Sequence, residues 1–306
     1  MGYSEQATMP VKLVYLLLAT SAFFWGANFV LAAPVLADLS PYWAASLRFV
    51  IGAALMLVIA KLQGEKLAPL ARKNWPVHVL LSLLGIVGFN VFFFHAMQET
   101  SADNGALIMA TNPLLTMLLA AILLGERATG RHLAALPVAL AGVAVVISHG
   151  DLSQLAQLQV AQGDLLMLCA NLTWALFNVA TRRFMPKSSP VGNTALMMCM
   201  GALVLTVVAL QGNAPFALPG PHASLALAIM AVGGTVLAYL FWGMGIQRIG
   251  AGRAALFLNL VPVFAMLISG VLGTPPSTSQ LTGGLIVLAG VSLAMMPMRQ
   301  RVAAKT

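Results

Sequence analysis

Two tryptophans stand in otherwise apolar runs with a carboxamide on the same helical face. Asn28 follows Trp25 by three residues, and Asn178 follows Trp174 by four. Further isolated polar or aromatic residues lie deep in comparable runs: Asn90, Asn112, Asn171, Tyr239, Trp242 and Asn259. A carboxamide donates to a carboxylate and accepts from an ammonium, while an aromatic face takes an apolar side chain or a cation. Such a set fits a neutral zwitterion with an apolar side chain better than a phosphorylated ligand, which would want several Arg or Lys. No buried Ser/His pair, carboxylate dyad or metal-ligand cluster accompanies these residues, so neither catalysis, nor a metal, nor a cofactor is expected. Cys169 and Cys199 sit within apolar runs as small hydrophobes.

The elements that carry these residues must sit in lipid. Of 306 residues 60% are apolar and 8% charged, too few charges for the shell of a water-soluble protein. A helix needs about 20 mostly apolar residues to cross the bilayer. Runs of that kind occur near 13–33, 41–60, 76–97, 102–124, 131–148, 164–184, 190–210, 222–245, 251–272 and 279–297. The expectation is an all-α membrane protein of ten transmembrane helices with short connections broken at Ser40-Pro41, Ser189-Pro190 and Thr274-Pro275-Pro276. The first run reads as a retained helix rather than a signal peptide.

The net charge of +8 does not form a stripe or an aromatic-interleaved patch, so no nucleic-acid partner is expected. Basic residues instead fall in alternate connections. Lys12 precedes the first run; Lys61, Lys66, Arg72 and Lys73 follow the second; Arg127 and Arg131 the fourth; Arg182, Arg183 and Lys187 the sixth. Arg248 and Arg253 follow the eighth, and Arg299, Arg301 and Lys305 the last, while the intervening connections hold Asp38, Glu99, Asp103 and Asp151 without Lys or Arg. By the positive-inside rule both termini are expected to be cytoplasmic, in a multi-pass protein of the bacterial inner membrane.

Shifting the chain by 149 positions superposes Trp25 on Trp174, Asn28 on Phe177, Pro41 on Pro190, Gln98 on Gln247 and Pro113 on Pro262. Residues 1–150 and 151–306 are therefore expected to be two five-helix repeats. An odd number of crossings per repeat makes the second inverted with respect to the first, the arrangement that lets one central site face either compartment in turn.

The motifs Trp25-Gly26-Ala27-Asn28-Phe29, Leu47-Arg48-Phe49, and Pro113 followed by Leu124-Gly125-Glu126-Arg127 resemble those of the drug/metabolite transporter superfamily, EamA-type carriers in particular. Trp174-Ala175-Leu176 and Pro262 echo them in the second half, where Gly273-Thr274-Pro275 replaces Gly125-Glu126-Arg127. The chain looks most similar to bacterial exporters of aromatic and other neutral amino acids. That resemblance implies a small-molecule exporter working by alternating access; a multidrug or other metabolite exporter of the same superfamily is the alternative.

Trp25, Asn28, Asn90, Asn112, Asn171, Trp174, Phe177, Asn178, Tyr239, Trp242 and Asn259 are the expected substrate-binding residues, with interhelical packing as the competing role of each. Pro113 and Pro262 break their helices at matching depth and are expected hinges. Of Phe92, Phe93 and Phe94, lipid or core contacts are expected. Arg48 lies about 10 Å from the outer end of its helix. It is expected to snorkel or pair with Asp38 or Asp103, a substrate carboxylate being the alternative. His95 is a candidate pathway residue, His78 an interfacial one, and Glu126 a salt-bridge partner of Arg127 and Arg131. The Gly/Ala-rich fifth and tenth runs read as close packing or a subunit contact, in a monomer or weak homodimer.

Overall fold

A computed structural model describes residues 10–125, 130–151, 161–212, 214–249, 254 and 256–295, and every regular element among them is helical. In chain order they are α1 (Val11–Asp38), α2 (Pro41–Leu62), α3 (Leu67–Ala96), α4 (Ala102–Leu124) and α5 (Gly130–Ile147). Then follow α6 (Gln162–Phe184), α7 (Pro190–Gln211), α8 (Pro221–Ile249), α9, which is a 3-10 turn at Leu256–Asn259 continued by Leu260–Val271, and α10 (Thr278–Met295). Seven of them, α1–α4 and α6–α8, are long and apolar enough to cross a membrane, so the chain is a multi-pass membrane protein. Parts of the ninth and tenth expected runs, the Glu126–Arg127 contact, Arg253 and the C-terminal basic cluster lie outside the described residues.

The helix starts repeat between halves for a local reason. Ser40 accepts from the Trp43 amide and Ser189 from the Gly192 amide, each ahead of a proline whose fixed φ suits the first turn. Gly125 and Gly273, with φ of 68° and 91°, end α4 and α9 in the left-handed conformation that closes a helix cheaply only at glycine.

Helix pairing obeys an exchange of the two halves. α1 packs on α8 and α9, and α6 correspondingly on α3 and α4; α2 pairs with its counterpart α7, and α5 with α10. The first helix of each half is thus inserted between the third and fourth of the other, which puts Trp25 and Trp174 at the junction. The α5–α10 pair is close packing: a Cβ at Gly142 would stand 2.7 Å from the Gly283 carbonyl oxygen, so the backbones touch.

Two irregularities were not expected. α3 and α8 each switch to π-helix, over Leu83–Gly88 and Met230–Leu237, at matching places in the repeat. A π-turn bonds i to i+5, so it widens the helix and can leave carbonyls to side-chain donors. α4 also breaks between Met109 and Asn112, just ahead of Pro113, as α9 breaks at its 3-10 turn ahead of Pro262.

Candidate binding site

The π-turns shape the junction. Gly85 in α3 gives no room for a Cβ because the Phe177 ring of α6 would lie 2.5 Å away. Gly234 in α8 is its counterpart, and there the Asn28 amide of α1 would lie 2.2 Å from a Cβ. Each glycine therefore seats the repeat-equivalent side chain of the other half. Their carbonyls are used too: Gly85 accepts from the Tyr239 hydroxyl at 2.9 Å, and Gly234 from Trp25 Nε1 at 3.0 Å and Arg48 Nη2 at 3.2 Å.

Around these contacts lies a cavity walled mostly by aromatic and aliphatic side chains, with few polar groups among them. Trp25, Trp174 and Tyr239 form its aromatic centre, with ring centroids 5.4–6.0 Å apart and edge-to-face geometry. Phe29, Phe89 and Phe93 extend the apolar wall on one side, and Met109, Leu258 and Val261 supply aliphatic surface from the broken stretches of α4 and α9. Asn28 and Arg48 complete the lining.

Arg48 departs from expectation. It is 2% exposed and donates from Nε to Thr235 Oγ1 at 2.7 Å, from Nη1 to Asn90 Oδ1 at 3.1 Å and from Nη2 to Gly234. It neither snorkels nor meets the acids named for it: Asp38 accepts from the Gly220 amide at 2.8 Å, and Asp103 from the Ser269 hydroxyl at 3.0 Å. The sequence gives the place of Arg48 along α2 but not the direction of its side chain. That face of α2 meets α3 and α8, whose amide, hydroxyl and carbonyl replace water around the guanidinium. The lining is accordingly not free of formal charge. His78 is fully buried between helices, its Nε2–H donating to Asn193 Oδ1 at 3.0 Å.

The remaining sequence candidates separate into groups. Trp25, Asn28, Trp174 and Tyr239 line the cavity. Asn90 stands behind it, holding Arg48 and donating to the Ile86 carbonyl at 2.8 Å. Phe177 and Trp242 back the aromatic centre, packing on Trp174 at 5.0 Å and Trp25 at 5.0 Å. Asn112, Asn171 and Asn178 instead bond to one another: Asn112 Nδ2 donates to Asn171 Oδ1 at 2.6 Å, and Asn178 Nδ2 to Asn112 Oδ1 at 3.1 Å. Asn171 Nδ2 also reaches the Ile108 carbonyl at 3.0 Å and Thr111 Oγ1 at 2.8 Å, stitching α6 to the break in α4. Asn259 keeps a buried amide oxygen without a partner among the described residues. His95 is outside the lining, donating from Nδ1 to the Val91 carbonyl at 2.8 Å with its ring against Tyr42. Phe93 reaches the cavity, which period alone did not single out from Phe92 and Phe94.

Asn171→Leu should leave substrate preference intact while lowering stability by about 1–3 kcal/mol, since Asn112 Nδ2 and the carbonyl of Ile108 both lose a bond in a dry site. Thermal unfolding of the purified protein measures it; an unchanged midpoint would remove the network from the account of how α4 is held broken.

A membrane protein that is helical throughout its described residues, with two halves that pair alike and an aromatic cavity where they meet, has the build of a carrier rather than of a soluble-domain receptor. The profile of the EamA-like transporter family matches residues 12–148 and 161–296, once per half, and the chain belongs to that family. It is 39% identical over 284 residues to the uncharacterized transporter YyaM of Bacillus subtilis, covering 92% of this chain and 93% of that one. The aromatic amino acid exporter YddG of Ancylobacter novellus is 25% identical over 92% of this chain and 96% of its own. A probable terminal-alkyne amino-acid exporter of Streptantibioticus cattleyicolor is 26% identical over 72% of this chain and 73% of its own. One solved crystal structure shares the fold with a TM-score of 0.70 at 23% identity, over 93% of this chain and 96% of the other.

Proposed function

We propose that the protein exports neutral amino acids, aromatic and other apolar ones above all, across the bacterial inner membrane by alternating access. The observation that carries this reading is the cavity itself: an aromatic box with a free carboxamide, placed where the two repeats interlock. An apolar side chain gains burial among the rings, and the polar backbone of an amino acid meets Asn28. The exchange of pairing partners between halves supports two pseudo-equivalent states, one open to each side, provided each half crosses the membrane five times with both termini cytoplasmic. Pro113 and Pro262, each just past a helix break, would be the hinges. Two relatives that carry amino acid exporter in their names point the same way.

The transport mode we assign is facilitated diffusion, because no carboxylate among the described residues lines the cavity to exchange a proton with substrate. Counterflow in proteoliposomes tests both parts. Labelled phenylalanine, tryptophan and methionine should exchange against the same unlabelled amino acids, and an imposed pH gradient without a substrate gradient should drive no net flux. Flux driven by the pH gradient alone would overturn the mode; exchange of a lipophilic dye but of no amino acid would overturn the substrate class.

A further inference from the structure

Arg48 is the charged group that lines the cavity, and the environment described above leaves its charge unneutralised. Three of its five N–H donors have protein acceptors, all of them neutral: a hydroxyl, a carboxamide oxygen and a backbone carbonyl. Asp38 and Asp103 are engaged elsewhere, and no other acid among the described residues forms an ion pair with it. A guanidinium so deep in a membrane protein is costly unless it meets an anion or serves a path. Two further donors belong to residues that line the same space: among the described residues the Asn28 carboxamide has no hydrogen-bond partner, and the Trp174 indole Nε1–H is buried without one. Acceptors are fewer there, and the Asn28 amide oxygen is one with no partner among the described residues.

We propose that Arg48, with Asn28 and Trp174 Nε1, holds the carboxylate of the transported molecule, so that a single carboxylate is the required polar group and the α-amino group is dispensable. The inference rests on the carrier reading above and narrows its substrate class to monocarboxylates with an aromatic or other apolar body. One guanidinium balances one negative charge, whereas a phosphate dianion would leave charge over in this apolar wall. A lipophilic cation would meet Arg48 with like charge, which counts against the multidrug alternative. The second half has Met197 where the first has Arg48, so the cation occurs once and fixes which way round the substrate lies, its carboxylate toward α2 and α8 and its body among the rings.

The test is competition against labelled phenylalanine in proteoliposome counterflow, using 3-phenylpropanoate, which lacks the amine, and phenethylamine, which lacks the carboxylate. 3-Phenylpropanoate should compete within about tenfold of phenylalanine, and phenethylamine at least about tenfold more weakly than 3-phenylpropanoate, the scale of one lost charge-assisted contact. Arg48→Gln should erase the preference between them and Arg48→Lys should keep part of it. Equal or stronger competition by phenethylamine, or a preference unchanged in Arg48→Gln, would overturn the assignment. If Arg48→Gln does not fold, the wild-type ratio and Arg48→Lys decide. If phenylalanine itself does not exchange, the amino acid reading fails by itself; thermal stabilisation of the purified wild type by 3-phenylpropanoate and not by phenethylamine would then still support the carboxylate anchor, and its absence would sink it.

Discussion

Gly26→Leu is expected to abolish transport, and Gly26→Ala alone to lower it by roughly a hundredfold. A Cβ at Gly26 would stand 2.8 Å from the Val261 carbonyl oxygen, 2.8 Å from Phe264 Cβ and 3.0 Å from the Ala265 amide nitrogen. Most of these atoms belong to the backbone of α9 and cannot swing aside, so α1 and α9 must separate. Trp25 precedes Gly26 and Asn28 follows two residues later, so any displacement of α1 moves both out of register with Trp174 and Gly234. Overpacking of this kind costs about 1–3 kcal/mol of stability, and a misplacement of about 1 Å in a binding group costs on the order of a hundredfold in rate. Gly243→Ala, on α8 where a Cβ meets nothing within 4 Å, is the matched control and should transport normally. Counterflow rates normalised to protein in the vesicle decide the matter. Equal rates for Gly26→Ala and Gly243→Ala would mean that the α1–α9 approach does not position the site.

Trp25→Ala comes next in size. The ring makes edge-to-face contacts with Trp174 at 5.4 Å, Tyr239 at 6.0 Å and Trp242 at 5.0 Å, and its Nε1 donates to Gly234. Truncation opens a void at the junction of the halves and orphans part of the π-turn. The stability loss should be about 3–5 kcal/mol, with counterflow reduced beyond detection. Trp25→Phe separates the two contributions, since it keeps an aromatic wall and loses only the bond to Gly234. Its unfolding midpoint should fall by less than half as much, with weaker substrate affinity as the main functional change. Wild-type affinity in both variants would mean that substrate does not touch this wall. The Trp174 counterpart provides an internal comparison: its Nε1 has no partner among the described residues, so Trp174→Phe should cost little stability, and any loss of carboxylate preference in it reports contact with substrate.

Much of this was legible beforehand, for identifiable reasons. In lipid the backbone must satisfy its own hydrogen bonds, which leaves the helix as the default and makes apolar run length a direct measure of the elements. The runs expected at 41–60, 102–124 and 190–210 correspond to helices at Pro41–Leu62, Ala102–Leu124 and Pro190–Gln211. The superposition of Trp25 on Trp174 and of Pro113 on Pro262 likewise anticipated residues that meet or break helices at equivalent places. The three asparagines of α4 and α6 show where that reasoning stops. A carboxamide in an apolar run is chemically the same whether it faces a cavity or a neighbouring carbonyl, and Asn112, Asn171 and Asn178 face each other while Asn28, seated on Gly234, lines the cavity.

Composition, run length and internal repetition thus determined by themselves that the chain is helical, membrane-embedded and twofold in plan, because these follow from the solvent and from period along one dimension. What only the tertiary structure decided is which polar groups find partners. The bonds that the π-turn carbonyls of Gly85 and Gly234 accept from Tyr239, Trp25 and Arg48 join the halves across 154, 209 and 186 residues of chain. No local pattern encodes such a meeting, and it is there that an arginine expected at the rim became the charged wall of the cavity.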